Sequence, residues 1–255
     1  MSYPTWSDLN NPSIVPPLGA RQANDIGPAA LMVSTEPDLR FIKNNCGQFT
    51  SRPFFMGSIM TRESQQDGSC IAGPYIGAPY GVMLMESMIA KGTKNILILG
   101  WCGAISKHLV PGDLVVPDRA LVDEGTSRHY MDLKGDPAEV SSDPSLSDAL
   151  CSHLADAGKN VHRLPVWSTD AIYRETRGKV DWFKNKGAHA VDMECSALFS
   201  AASYRKVRAA ALLVVSDSLV SETGDWDPGF RKKKFKSRRQ FACKSMVEMI
   251  GTLAL

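Results

Sequence analysis

Nothing near 18 consecutive apolar residues occurs in this chain of 255, so no membrane-spanning helix is expected. A dominant charge sign is missing as well. The 29 Lys and Arg are set against 27 Asp and Glu, a formal net charge of +2, so no global field draws the chain to nucleic acid or a lipid surface. The opening "MSYPTWSDLNNPSIVPPLGARQ" has no basic start followed by an apolar stretch, so no secretory signal is read there. The six cysteines (46, 70, 102, 151, 195 and 243) show no paired metal spacing, and several sit in apolar contexts as small reduced hydrophobes. His108, His153, His162 and His189 lack ligand spacing too, and His129 in a polar loop reads as a surface or subunit contact. No metal and no cofactor is expected, and the expected setting is cytoplasmic.

What is present is a chain that is 44% hydrophobic, enough to bury a full core. Residues 1–27, rich in Pro, Asn and Ser, read as an arm lying on the surface or on a neighbouring subunit, and 28–255 as one domain. Apolar strands such as "AALMVS", "ILIL" and "AAALLVVSD" alternate with helices such as "EPDLRFIKNN", "SDPSLSDALCSHLADAG" and "ECSALFSAASYRKV". Strands apolar on both faces between helices predict an α/β domain with a largely parallel or mixed sheet. Asp143 or Ser145 is available to cap the third of those helices. In "NILILGWCGAISKHLVPGDLVVP", Asn95 to Pro117, the reading is strand, glycine turn, strand, with Gly100 and Gly103 letting backbone approach a ligand.

In open α/β sheets ligands gather at the carboxyl ends of strands. Four such ends carry unusual groups: Gly73 to Pro79, Gly100 to Gly103, Asp192 to Glu194, and Ser216 to Asp217. In "AVDMECSALFSA" the acids stand at the mouth of a helix, where its dipole favours them, or else a carboxylate there accepts from a sugar diol. Asp217 ends an apolar run, either as a turn or cap residue or as a general acid, since desolvation disfavours a carboxylate's charge. The run "RKKKFKSRRQ" (231–240) lacks an aromatic ladder and reads as the solvated face of the last helix, not a nucleic-acid patch. Asp225, Trp226 and Asp227 form a candidate lid loop.

Seven segments in order resemble the nucleoside phosphorylase/hydrolase family of uridine phosphorylases, hexameric purine nucleoside phosphorylases and nucleosidases. They are "EPDLRFI", "GAPYGVMLMESMIAKG", "GWCGAI", "VPGDLVVPDRALVDEGTSRHY", "STDAIY", "AVDMECSALF" and "VVSDS", spread from about Ala29 to Leu219. The resemblance implies a single α/β domain around a mixed, twisted, partly barrel-like sheet flanked by helices. It also implies homodimers or hexameric rings of dimers. By position, Met193 and Glu194 would hold the ribose, and Asp217 would be the acid beside the base, with Arg231 assisting it. Cys102, Gly103, Ile172, Tyr173 and Arg177 would face the base.

The implied reaction cleaves the N-glycosidic bond of a nucleoside to free base and ribose 1-phosphate, a pentosyl transfer with inorganic phosphate as co-substrate. A purine is favoured by Asp217. The glutamine of uracil readers is missing from "RETRG", whereas "DEGTSRHY" looks like the uridine branch. The family's phosphate groups are altered: Thr35 replaces a glycine, Arg40 arrives one residue late, Ile98 stands for an arginine and Trp101 for a serine or threonine. Either other arginines such as Arg40, Arg52 or Arg62 bind phosphate, or Trp101 fills an emptied anion site and water attacks the sugar. A nucleoside-binding protein without catalysis is the third reading.

Overall fold

The computed structural model describes residues 9–18, 26–62, 68–220 and 226–253. Most of the expected N-terminal arm, and Asp225 of the lid loop, lie outside the described residues. Of the arm, the Leu9 carbonyl accepts from the Tyr204 hydroxyl at 2.7 Å.

Twelve strands form one mixed sheet. At its centre β1 (Ala29–Val33) runs parallel between β4 (Ser69–Gly73) and β5 (Asn95–Ala104), and β5 runs parallel to β12 (Arg208–Ser218). Beyond them β11 (Ala190–Asp192), β10 (Val166–Thr169), β7 (Arg119–Asp123) and β8 (Glu139–Ser141) continue the sheet on one side. A hairpin of β2 (Phe49–Phe54) and β3 (Gly57–Arg62) adds antiparallel to β4 on the other. The short β6 (Leu114–Val116) and β9 (His162–Arg163) branch from β12. The sequence reading did not anticipate β2, largely exposed, β3, half-buried around Ile59 and Met60, or β8, where only Val140 is buried, because none forms an apolar run.

The central strands read as continuous apolar runs because helices cover both faces. Ala30 and Met32 of β1, with Ile96 and Ile98 of β5, pack toward α2 (Ala78–Ala90) and α5 (Cys195–Arg205). Leu31, Val33, Leu97 and Leu99, one residue out of phase, pack toward α1 (Glu36–Asn45), α3 (Pro144–Asp156) and α6 (Lys233–Leu253). The sixth helix, α4 (Arg177–Asn185), packs its Val180 and Phe183 near Trp167. Asp143, not Ser145, caps α3 by accepting from the Leu146 N–H at 2.8 Å. The six cysteines form no disulfide, and among the described residues no helix is long and apolar enough to cross a membrane.

One expectation is corrected here. Gly100 and Gly103 are not a turn: β5 passes straight through both, because β12 pairs with it from Asn95 to Ala104. The opposite edge of β5 behaves differently. β1 pairs only as far as Leu99 and β11 joins, antiparallel, only from Gly103. The sheet therefore parts beside Gly100–Cys102, and a cavity opens at that fork.

Candidate active site

The cavity has a volume of about 940 Å³ and is bounded by the ends of β1, β5, β11 and β12. Its glycines allow close approach: a Cβ on Gly103 would stand 2.8 Å from Leu219 Cδ1 and 3.4 Å from Asp217 Oδ2. Among the described residues its charged lining is Glu36, Glu175, Asp192, Glu194 and Asp217, with no Lys, Arg or His.

At the β11 end the two acids divide, one meeting the start of α5 and the other the cavity. Asp192 is buried and accepts from the Ser168 hydroxyl at 2.5 Å and from the Cys195 and Glu194 N–H groups at 2.7 and 3.1 Å. It is the carboxylate that satisfies the start of α5, and burial raises its pKa while those donors oppose the rise. Glu194 is thereby left to face the cavity. Its Oε1 accepts from the Gly77 N–H at 2.6 Å, at the start of α2. Burial and then the charge of Asp192 push the Glu194 carboxyl up to about 8, against the Gly77 and Met193 N–H groups.

At the β12 end the pairing register with β5 shifts between Val215 and Asp217. The bulge at Ser216 turns Asp217 toward the cavity, the way bulges commonly re-aim a side chain. Ser216 Oγ lies 2.5 Å from Asp217 Oδ1, and Trp226 Nε1 donates to Oδ2 at 2.8 Å. Trp226, from the candidate lid segment, thus closes on the acid. Cys102 sits between the two acidic ends: burial, then the charges of Asp192 and Asp217, drive its thiol pKa well up, so it is a neutral wall rather than a nucleophile.

The third boundary is made by Thr35 and Trp101. Behind them Asp38 is fully buried. It accepts from Trp101 Nε1 at 2.7 Å, Thr35 Oγ1 at 2.8 Å and Arg239 Nη1 at 2.9 Å. The Trp101 ring meets Phe235 edge to face with centroids 5.0 Å apart.

Of the residues read from the sequence, Cys102, Gly103, Ile172, Tyr173, Met193, Glu194 and Asp217 all line this one cavity. The arginines do not. Arg40 lies on the exposed face of α1, 3.4 Å from Glu36 one turn back, and Arg52 is exposed on the edge hairpin. Arg177 opens α4 on its exposed side, because Thr176 caps that helix and turns the chain away from the cavity. Arg231 is exposed in the 3-10 turn Gly229–Arg231, where its neighbour Phe230 faces inward instead. Ile98 is buried in the core and outside the lining. The basic run is largely exposed as expected, except that Arg239 reaches in to Asp38.

Sequence reasoning missed Glu175, Asp38 and Tyr75. Glu175 lines the cavity two residues after Tyr173, and burial and then the charge of Asp217 push its carboxyl up to about 7, with Lys179 opposing. An acid two residues past the Ile172–Tyr173 pair was the available signal. Asp38 carried none beyond an acid in a first helical turn, because its partner Arg239 is 201 positions away.

The family model described as the phosphorylase superfamily matches residues 28–250. A guanosine phosphorylase from Halorubrum lacusprofundi is 32% identical over 57% of this chain, a match spanning 59% of that relative. Among solved structures, a purine nucleoside phosphorylase from Toxoplasma gondii in complex with immucillin-H superposes with a TM-score of 0.78 at 20% identity, over 95% of this chain and 98% of that one. An AMP nucleosidase from Bacteroides thetaiotaomicron gives 0.69 at 20% identity, over 90% and 92%.

Proposed function

From the premise that this chain belongs to the phosphorylase superfamily, we propose that it cleaves the N-glycosidic bond of a purine nucleoside. The observation that carries the reading is that Glu194 and Asp217 face one cavity from separate strand ends, with Cys102 in the same lining. Breaking the bond sends its electron pair to the base nitrogen and leaves positive charge on the sugar. Asp217 supplies a proton to the departing base, while Glu194 grips the ribose hydroxyls and, ionised, stabilises the sugar cation. Met193 packs beside the sugar, and Ile172 and Tyr173 beside the base.

The acceptor that takes the sugar is phosphate in the first reading, giving ribose 1-phosphate by pentosyl transfer. The name of the guanosine phosphorylase relative supports it, and supports a purine over uridine. This reading needs a cation from outside the cavity walls. A second copy of the chain is the natural source: Met56, Ile76 and Tyr173 line the mouth yet are 91%, 74% and 96% exposed, an apolar rim suited to burial in a homodimer or a ring of dimers. The second reading is hydrolysis. It is favoured by a lining that holds no Lys, Arg or His among the described residues and by the Trp101 indole, which is committed to Asp38. An anion entering a cavity whose charged lining, among the described residues, is acidic, with Arg40 held on Glu36 outside it, is opposed electrostatically.

Release of base from purine and pyrimidine nucleosides, measured in phosphate buffer and in phosphate-free buffer, tests both halves. Activity that needs phosphate, and accepts arsenate in its place, removes hydrolysis. Equal activity without phosphate removes phosphorolysis. If Glu194→Ala and Asp217→Asn each leave cleavage unchanged, the assignment of both residues fails.

A further inference from the structure

The base end of the cavity keeps one polar group unspent. Ser216 and Trp226 both turn their donors onto Asp217, at 2.5 and 2.8 Å. Cys102 is a buried neutral thiol, and the nearby walls Ile172, Leu219 and Phe230 are apolar. Glu175 differs from all of them. It lines the same cavity within electrostatic reach of Asp217, and its carboxyl accepts no hydrogen bond among the described residues. Lys179 of α4, the cation that reaches it, is drawn off to Asp123 of β7 at 2.9 Å.

We propose that Glu175 reads the base: its carboxylate accepts from two adjacent N–H donors, which selects guanine, where N1–H lies beside the 2-amino group. The inference rests on the reading of this cavity as a nucleoside-cleaving site. An ionised carboxylate has only acceptors and can engage two parallel donors at once. Guanine is the common base whose exposed edge sets two donors side by side. Hypoxanthine keeps N1–H and loses the amino group. Adenine sets a ring acceptor beside its amino group, and uracil flanks its single N–H with carbonyls. Each of the last two would bring a lone pair against a carboxylate oxygen. The energetic setting is consistent. Burial and the charge of Asp217 bring the empty-site carboxyl close to neutrality, and donors from a bound base favour its ionised form. A site built around a hydrogen bond rejects the analogue lacking it far better than an apolar pocket rejects a missing methylene, because the buried acceptor is left unpaired.

Steady-state kinetics with guanosine, inosine, adenosine and uridine on the wild type and on Glu175→Gln test this, with thermal melting to confirm that the variant folds. The wild type is expected to favour guanosine over inosine in kcat/KM by about tenfold or more, the worth of one hydrogen bond to a charged group. In Glu175→Gln the ratio should collapse to within about threefold, chiefly through KM for guanosine, because the amide presents a donor to one of the two N–H groups. A wild type that prefers adenosine or uridine overturns the proposal, as does a variant that keeps the wild-type guanosine-to-inosine ratio. The wild-type ratio needs no variant, so a misfolded Glu175→Gln leaves the test standing. Cleavage of nucleosides without a guanine preference overturns the role of Glu175 alone. Cleavage of none overturns the reading of the whole cavity with it.

Discussion

Trp101 Nε1 donates a 2.7 Å hydrogen bond to Oδ2 of Asp38, and this bond fixes the indole as a wall of the cavity. The carboxylate it reaches is fully buried and holds Thr35 and Arg239 as well. The Arg239 guanidinium also lies 5.9 Å from the centre of the Trp101 ring. An internal anion and its cation thus stand directly behind the indole. Burial raises the Asp38 carboxyl, and the Arg239 charge is the largest influence opposing that rise.

Removing one member of this buried pair should be costly and removing both much less so. Asp38→Ala strands the Arg239 guanidinium, only 15% exposed, and should cost about 3–5 kcal/mol in urea unfolding at neutral pH. The double variant Asp38→Leu/Arg239→Met should recover most of that loss. Equal losses in the single and double variants would mean that packing, not charge, holds Trp101.

Asp217→Asn keeps shape and hydrogen bonding while removing the transferable proton. Its kcat should fall about 10²–10⁴-fold, with KM for the nucleoside changed only a few-fold. A variant within tenfold of wild type would remove Asp217 as the acid.

Glu194 gives a pH signature. Its carboxyl in the empty cavity is raised to about 8, and the charged form is the one that stabilises a sugar cation. In the free enzyme kcat/KM should therefore climb as pH rises from 6 through about 8, and Glu194→Gln should lose both that climb and about 10²-fold or more in kcat/KM. Stability should move the opposite way. The folded carboxyl keeps its proton where an unfolded glutamate has already lost it, so this contribution is complete below the ordinary glutamate range and is lost as pH rises toward 8. The Tm of Glu194→Gln should consequently gain on the wild type between pH 5 and pH 8.5. A Tm difference that stays flat across that range would contradict the raised carboxyl.

Gly103 tests the close packing at the fork. A Cβ there meets the tip of Leu219 at 2.8 Å and Asp217 Oδ2 at 3.4 Å, side-chain atoms able to shift rather than backbone. Gly103→Ala should fold, at a cost near 1–2 kcal/mol, and lose activity out of proportion to stability by displacing Asp217. Full activity in a folded Gly103→Ala would show that the acid tolerates displacement.

The buried strands were legible because their signal is local. "AALMV" and "LLVV" are apolar on every residue, and only a strand covered on both faces requires that. Glu194 and Asp217 were legible as acids near strand ends, Glu194 two residues past β11 and Asp217 in the last two residues of β12, and strand ends carry sites in such sheets. The hairpin β2–β3 was not, since "FTSRPF" is polar enough to pass for loop and is a strand only because β3 pairs with it. Arg40, Arg52, Arg177 and Arg231 were credible by proximity in sequence, but which way an arginine points depends on what its element packs against. All four lie outside the cavity lining.

Composition and pattern by themselves determined an α/β chain with two acids at strand ends. Those are properties of short segments, set by hydrophobic period and residue chemistry. Only the tertiary structure decided that β5 runs unbroken through its glycines, that Asp192 accepts from the start of α5 while Glu194 faces the cavity, and that Glu175 joins Asp217 in one cavity. It alone brought Arg239 to Asp38 from 201 residues away. The physical reason is that a buried charge takes its partner from whatever the fold packs beside it, and sequence distance places no limit on that choice.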